Sequence, residues 1–276
     1  MKRDRLSFTK RDIIAAAFAA AVFGVFWWCN NKWLVTSEYT VRTDKLTGDG
    51  VTIVQISDLH NASFGAHNGR LMEKIKECEP DIIVITGDIV DSRRTNVKRA
   101  VEFCELAAEV APCYYVDGNH EVFMDDGKRE ELRSGIEKAG VRIVENKTDT
   151  IEINGSRLQI MGLEDEHLDD ETQPALAASL DPLLPTVLLA HEPQYFEDYC
   201  RSSPELVLCG HAHGGQIRLF GQGLFAPDQG FLPEYTAGAF EDNGTVMIVS
   251  RGLGNSAAPL RLFDQPEVVC VRLERR

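Results

Sequence analysis

Val51-Thr52-Ile53-Val54-Gln55-Ile56-Ser57-Asp58-Leu59-His60 sets the pattern of this chain. A β-branched apolar run reads as a strand, and it ends on an aspartate and a histidine with one residue between them. The pattern recurs. Asp81-Ile82-Ile83-Val84-Ile85-Thr86 runs into Gly87-Asp88-Ile89-Val90-Asp91, and Cys113-Tyr114-Tyr115-Val116 runs into Asp117-Gly118-Asn119-His120-Glu121. Pro185-Thr186-Val187-Leu188-Leu189-Ala190 ends in His191, and Glu205-Leu206-Val207-Leu208-Cys209 ends in Gly210-His211-Ala212-His213-Gly214-Gly215-Gln216. Residues 68–78 and 97–110 carry apolar side chains at helical spacing, and residues 128–139 make a further helix stopped by Gly140. Weaker strand signals fall at 141–144, 150–153, 158–161, 216–220, 245–250 and 268–273. No repeat or low-complexity tract divides residues 51–276, which therefore read as one domain.

Alternating strands and helices imply right-handed crossovers and a largely parallel sheet. In such sheets, sites gather at the carboxyl ends of the strands. Five of the seven histidines lie at these ends; His67 and His167 do not. His211 and His213 are two apart, so in extended backbone both would face one pocket. A single such residue reads as a cap or a surface side chain, but the coincidence of five clusters reads as a metal site. Aspartate, asparagine and histidine without thiolate form an oxygen and nitrogen set suited to manganese, iron or zinc. Asp58, His60, Asp88, Asn119, His120, His191, His211 and His213 exceed the needs of one ion. Two ions sharing a carboxylate can clamp a phosphate and generate hydroxide near neutral pH, which suits hydrolysis of a phosphate ester or anhydride.

Composition narrows the partners. Of 276 residues, 43% are hydrophobic and 26% charged, ordinary for a globular protein. The net charge of -14 argues against a nucleic-acid polyanion, whose binding rests on Lys and Arg. Seven cysteines show neither CxxC nor zinc-finger spacing, and read as small buried hydrophobes.

The N-terminal region is a separate matter. Residues 13–29 are seventeen positions without a charge, preceded by Lys2, Arg3, Arg5, Lys10 and Arg11. That meets the lower end of the roughly 17–25 residues a membrane span needs. All three tryptophans, Trp27, Trp28 and Trp33, cluster at its far end, where an interfacial aromatic belt would lie. A cleaved signal peptide is the alternative, but the apolar region is long for one and no small-x-small site follows before Trp33. The expectation is an uncleaved single-pass anchor in the cell membrane. The basic flank puts the N-terminus in the cytoplasm and the remainder on the extracytoplasmic side, with Lys32, Arg42 and Lys45 diluting the bias. Thr9-Lys10-Arg11-Asp12 resembles a degenerate twin-arginine export signal, with Lys in place of the first Arg.

The ordered set Asp58-Leu59-His60, Gly87-Asp88-Ile89-Val90-Asp91, Gly118-Asn119-His120-Glu121, His191 and Gly210-His211-Ala212-His213 resembles the calcineurin-like metallophosphoesterase family over residues 51–276. The resemblance implies a four-layer α/β/β/α sandwich, here preceded by one transmembrane helix. Residues 1–34 would be the basic N-terminus and anchor, and 35–276 the metallophosphoesterase domain. It further implies that Asp58, His60, Asp88 and His213 hold one metal. Asp88 would bridge to a second, held with Asn119, His191 and His211. His120 would be the catalytic residue beside the substrate, protonating the leaving oxygen or stabilising the charged phosphate, while a metal-activated hydroxide attacks phosphorus. Gly214-Gly215-Gln216-Ile217, Phe225-Ala226-Pro227, Tyr235-Thr236-Ala237-Gly238 and Ser250-Arg251-Gly252-Leu253-Gly254-Asn255-Ser256 resemble the YkuE/YaeI-like membrane-associated phosphodiesterases. That branch is also similar to enzymes cleaving UDP-2,3-diacylglucosamine, so the substrate is expected to be a phosphodiester or pyrophosphate, lipid-linked in one version. A low-specificity phosphomonoesterase or a non-catalytic metal-dependent scaffold are the alternatives; the scaffold reading would predict lost ligands, and every position here is filled.

Several motif residues carry two readings. Asp91 completes the family pattern, yet suits loop capping or support of a ligand. Glu121 would either fix its loop or act in the chemistry. Gly87, Gly118 and Gly210 read as turn glycines admitting close backbone approach. Glu164, Asp165 and Glu166 form a charged loop or a rim. Arg251 would reach a substrate phosphate or serve structurally. Phe220, Leu224, Phe225, Phe231 and Leu232 would line an acyl-binding wall or membrane-facing rim, or pack a loop on the sandwich.

Overall fold

The computed structural model describes residues 9–164, 171–255 and 260–276. Lys2, Arg3, Arg5, Asp165, Glu166, His167 and Ser256 lie outside the described residues. The chain begins with helix α1 (Lys10–Lys32), started by a capping box in which Thr9 Oγ1 accepts from the Asp12 N–H and the Asp12 carboxylate accepts from the Thr9 N–H. Its most apolar window has mean hydropathy 1.9, and it is the one helix among the described residues long and apolar enough to cross a membrane.

Strands and helices then alternate. They are β1 (Val35–Thr43), β2 (Val51–Ile56), α2 (Gly69–Glu77), β3 (Ile82–Thr86), α3 (Val97–Ala108), β4 (Cys113–Val116), the single turn α4 (Asn119–Val122), α5 (Asp126–Lys138) and β5 (Arg142–Ile143). A second run follows: β6 (Lys147–Ile153), β7 (Ser156–Gly162), α6 (Thr172–Ala178), β8 (Thr186–Leu189), the turn α7 (Phe196–Tyr199) and β9 (Leu206–Cys209). Two small hairpins come next, β10 (Arg218–Leu219) with β11 (Gln222–Gly223), then β12 (Phe225–Ala226) with β13 (Gly230–Phe231). The chain closes with β14 (Gly238–Asp242), β15 (Thr245–Val249) and β16 (Glu267–Arg275).

Two six-stranded sheets result. The first has the order β1-β16-β2-β3-β4-β5, and the second β14-β15-β9-β8-β7-β6. The central strands are parallel in each, β2 to β5 in one and β15, β9, β8 and β7 in the other. Antiparallel pairs occur at β16–β2, β14–β15 and β6–β7.

The apolar runs fill both faces of each sheet, because successive side chains point to opposite sides. Val54 and Ile56 of β2, with Ile83 and Ile85 of β3, pack on Leu71, Ile75, Phe103 and Leu132 of the helices. Val51 and Ile53, with Ile82 and Val84, point the other way and meet Leu189, Leu206, Leu208 and Ile248 of the second sheet. Val207 and Cys209 pack outward on Phe196 and Tyr199. Three apolar layers thus separate four layers of secondary structure, the expected α/β/β/α sandwich. Ile53→Ala opens a cavity between the two sheets and is expected to cost about 2–5 kcal/mol, read as the shift in chemical-denaturation midpoint.

Strands β1 and β14 carry no sequence signal of their own. Both lie at sheet edges with half-exposed, alternating side chains, and both form by pairing along a more apolar neighbour. The cysteines are all free; Cys104, Cys113 and Cys209 are buried and the other four are half-buried.

Candidate metal centre

The carboxyl ends of β2, β3, β4, β8 and β9 converge, and the chain after each turns sharply. Asp58, His60, Asp88, His211 and His213 all have left-handed backbones, with φ of 52°, 44°, 54°, 65° and 47°. Such conformations are uncommon outside glycine and cluster at functional sites. The extended segment expected at 211–213 is therefore corrected. His211 and His213 are brought to the site by tight turns, and they face different halves of it.

In one half, His60 Nε2 lies 3.1 Å from His213 Nε2, 3.4 Å from Asp88 Oδ2 and 3.9 Å from Asp58 Oδ1. His213 Nε2 is 3.5 Å from Asp58 Oδ1. One ligand atom from each of these four buried residues lies within 4.8 Å of every other. In the second half, His191 Nε2 is 3.4 Å from Asp88 Oδ2 and 3.2 Å from Asn119 Oδ1, which is 3.1 Å from His211 Nδ1. Asp88 Oδ2 thus stands equally far from a histidine of each half. Donors bonded to one ion at 2.0–2.2 Å are about 3.3–3.6 Å apart in a tetrahedron, so the observed separations fit a pair of divalent cations.

Charge and tautomer favour the same arrangement. Burial holds His60 and His213 below the usual histidine range, with the Arg261 and His60 charges adding to the effect at His213. Burial thus disfavours the protonated form of both rings. Against burial, the Asp88 carboxylate raises His191, and His191 and His60 in turn lower Asp88. His191 Nδ1 donates to the Thr86 carbonyl at 2.7 Å, which leaves Nε2 facing the site.

The loops are fixed by backbone donors. Buried Glu121 accepts from the N–H groups of Asp88 (2.7 Å), Gly118 (2.8 Å) and Val90 (3.1 Å), tying the turn after β3 to that after β4. Burial and Asp88 push its carboxyl up while the Gly118 and Val90 N–H groups pull it down. Asp88 Oδ1 accepts from the His120 N–H at 2.8 Å. A Cβ on Gly118 would stand 2.4 Å from that oxygen, so only glycine leaves Asp88 in place.

His120 is buried, with its ring edge-on to His60 at 4.5 Å between centroids. Its Nδ1 accepts from the Ser92 N–H at 3.0 Å, so the neutral ring carries its proton on Nε2. Asp91 is 4.0 Å from His120 Nδ1, and its Oδ1 accepts from the Arg93 N–H at 2.9 Å, a loop-capping contact. Arg251 pairs with Glu267 at 3.0 Å and approaches Ser37 at 3.4 Å; its guanidinium is committed to tying β1 and β16. Glu164 pairs with Arg129 in a network with Asp117, Arg133 and Glu145, the behaviour of a charged structural loop.

Two residues carry no motif and emerge only in three dimensions. Asp228, in the β12–β13 turn, accepts from His211 Nε2 at 3.0 Å and so directs Nδ1 to Asn119. Fully buried Arg261 reaches His213 Nδ1 at 3.3 Å. Asp228→Asn is expected to weaken metal retention about 10–100-fold in the His211 half, measured as the free-manganese concentration needed for the second equivalent. Beside that half, Asn119, Phe123, Glu192, Gln194, Tyr195 and Asp228 line an open cavity of about 390 Å³.

The family model for calcineurin-like phosphoesterases matches residues 51–215, the span holding all these strand ends. The chain belongs to the calcineurin-like phosphoesterase family. Relatives include the metallophosphoesterase YkuE of Bacillus subtilis, 30% identical over 87% of this chain and 85% of that protein. A metallophosphoesterase of Aquifex aeolicus is also 30% identical, over 93% of this chain and 98% of that one. The phosphodiesterase YaeI of Escherichia coli is 28% identical over 91% and 92%. Among solved structures, the NAD nucleotidase NadN of Haemophilus influenzae superposes with a TM-score of 0.52 at 15% identity. It covers 74% of this chain and 45% of that one, a likeness of fold. The chain is a metallophosphoesterase, a hydrolase acting on phosphoester bonds.

Proposed function

We propose that this chain is a two-metal hydrolase of phosphodiester or pyrophosphate bonds, held at a membrane by α1. The observation that carries the reading is Asp88 Oδ2, 3.4 Å from both His60 Nε2 and His191 Nε2. Asp58, His60, Asp88 and His213 would hold one divalent ion, and Asp88, Asn119, His191 and His211 the other, manganese, iron or zinc. Such a pair supplies Lewis-acid stabilisation of phosphate oxygens and a deprotonated nucleophile near neutral pH. His120 would give its Nε2 proton to the leaving oxygen, held in that tautomer by the Ser92 N–H. The cavity lined by Phe123 and Tyr195 would receive the leaving group. The likeness to the phosphodiesterase YaeI favours a diester over a monoester.

The domain would begin at residue 35, with residues 1–34 as basic flank and anchor and the site on the extracytoplasmic side. Leu219, Phe220, Phe225, Phe231 and Leu232 of the hairpins are exposed, as are Trp27, Trp28 and Trp33 of the anchor's end and Phe263, whose ring packs on Phe26 of α1. An apolar rim of this kind suits a lipid-linked substrate, of which UDP-2,3-diacylglucosamine is one version. The test uses the full chain in detergent micelles, stripped with chelator and refilled with manganese. Hydrolysis of bis-p-nitrophenyl phosphate should return with the metal and exceed that of p-nitrophenyl phosphate. The reverse preference would make it a monoesterase, and two bound ions without turnover on either compound, or on UDP-2,3-diacylglucosamine, would make it a scaffold.

A further inference from the structure

The membrane helix reaches the metal centre through its last turn. Among the described residues of α1, only Asn30 and Asn31 are buried. Both are polar, and a polar side chain out of water needs partners. Each uses its Nδ2 within the helix, on Phe26 O (2.8 Å) and Trp27 O (2.9 Å). Each Oδ1 faces the segment after residue 254. Asn30 accepts from the Phe263 N–H at 2.5 Å, and Asn31 accepts from the Arg261 N–H at 3.0 Å and from Asn255 Nδ2 at 3.1 Å.

Arg261 carries the contact inward. Its guanidinium is wholly buried, four of its N–H donors meet oxygen acceptors, and the remaining edge lies against the His213 ring. Nε donates to Asn255 Oδ1 (3.0 Å), and Nη1 to Arg251 O (2.7 Å) and Asp264 Oδ2 (3.2 Å). Nη2 donates to Gly254 O (2.6 Å) and lies 3.3 Å from His213 Nδ1, the nitrogen that carries the ring proton when Nε2 faces a metal. A buried arginine beside a cation-binding histidine is unfavourable by charge alone. The ion pair with equally buried Asp264 offsets it, and what remains is a rigid fork against the ring.

We propose that the last turn of the anchor is a structural member of the metal centre. Asn31 positions Arg261, Arg261 positions His213, and docking of α1 sets the affinity of the Asp58–His60–Asp88–His213 pocket. The inference rests on the ligand assignment above. It makes the helix more than a tether, because an anchor pulled out of register would loosen a metal.

The test is a manganese titration of the full chain in detergent micelles, read by electron paramagnetic resonance and by bound-metal stoichiometry. Wild type should hold two ions and give the signal of a coupled pair. Asn31→Ala and Arg261→Lys should each weaken one site about 10–100-fold, so that an isolated-ion signal replaces the coupled one at intermediate manganese. Phe18→Ala, on the exposed face of the same helix, should match wild type. Two ions bound at wild-type affinity in both variants would overturn the proposal. So would loss of both ions together with the cooperative unfolding transition, which would mean a general defect of folding. Failure of wild type itself to bind manganese would strike the ligand assignment instead.

Discussion

Asp88→Ala is expected to reduce hydrolysis by at least about a thousandfold, the loss typical of one preorganised transition-state contact, with metal loss added to it. The expectation follows from position. Oδ2 lies 3.4 Å from both His60 Nε2 and His191 Nε2, so its removal takes a donor from each half. Oδ1 accepts from the His120 N–H, so the same change also loosens the turn that carries His120. Metal analysis should find at most one ion retained. The metal-free variant should still unfold cooperatively, somewhat below metal-free wild type, because the His120 N–H and the His191 and His60 rings lose their carboxylate partner. A stable fold with lost metal and lost turnover is the signature of a ligand and not of a core residue.

His120→Ala is expected to keep both ions and slow turnover about 10²–10⁴-fold, the usual worth of a positioned acid or base. Its ring touches His60 edge-on, so metal affinity should change by only a few-fold. Leaving-group dependence separates the two roles. If Nε2 supplies a proton, esters of poor leaving groups should lose far more than nitrophenyl esters, which depart without help. If His120 only stabilises charge on the phosphate, the loss should be equal for both. Steady-state rates on a nitrophenyl and an alkyl phosphodiester decide the matter.

Much of this architecture is legible in residue order because its determinants are local. Runs such as Ile82–Thr86 are apolar on both faces, which marks a covered parallel strand, and each ends in a ligand type. The edge strands were not legible. Val35–Thr43 alternates half-exposed and exposed positions, and its partner β16 lies more than two hundred residues away. The turns at His211 and His213 escaped for a related reason. A left-handed histidine has no composition signal, and only the surrounding packing imposes it.

The supporting residues were harder still. Asp228 sits in an irregular hairpin and acts on a histidine 17 positions earlier in sequence. Arg261 lies 48 positions beyond His213 and borrows its orientation from an asparagine 230 positions before it. Arg251 attracts attention because it follows a strand toward a glycine-rich segment, yet Glu267 holds it. Motif order finds residues that bind directly; residues that hold the binders are found by geometry.

The two-metal assignment is tested most directly by a manganese titration of the metal-stripped full chain, following bound metal and bis-p-nitrophenyl phosphate hydrolysis in one series. Turnover should be absent without metal, binding should stop at two ions, and activity should rise with the second. Turnover persisting in the metal-free protein, or reaching its maximum with a single ion bound, would contradict that assignment.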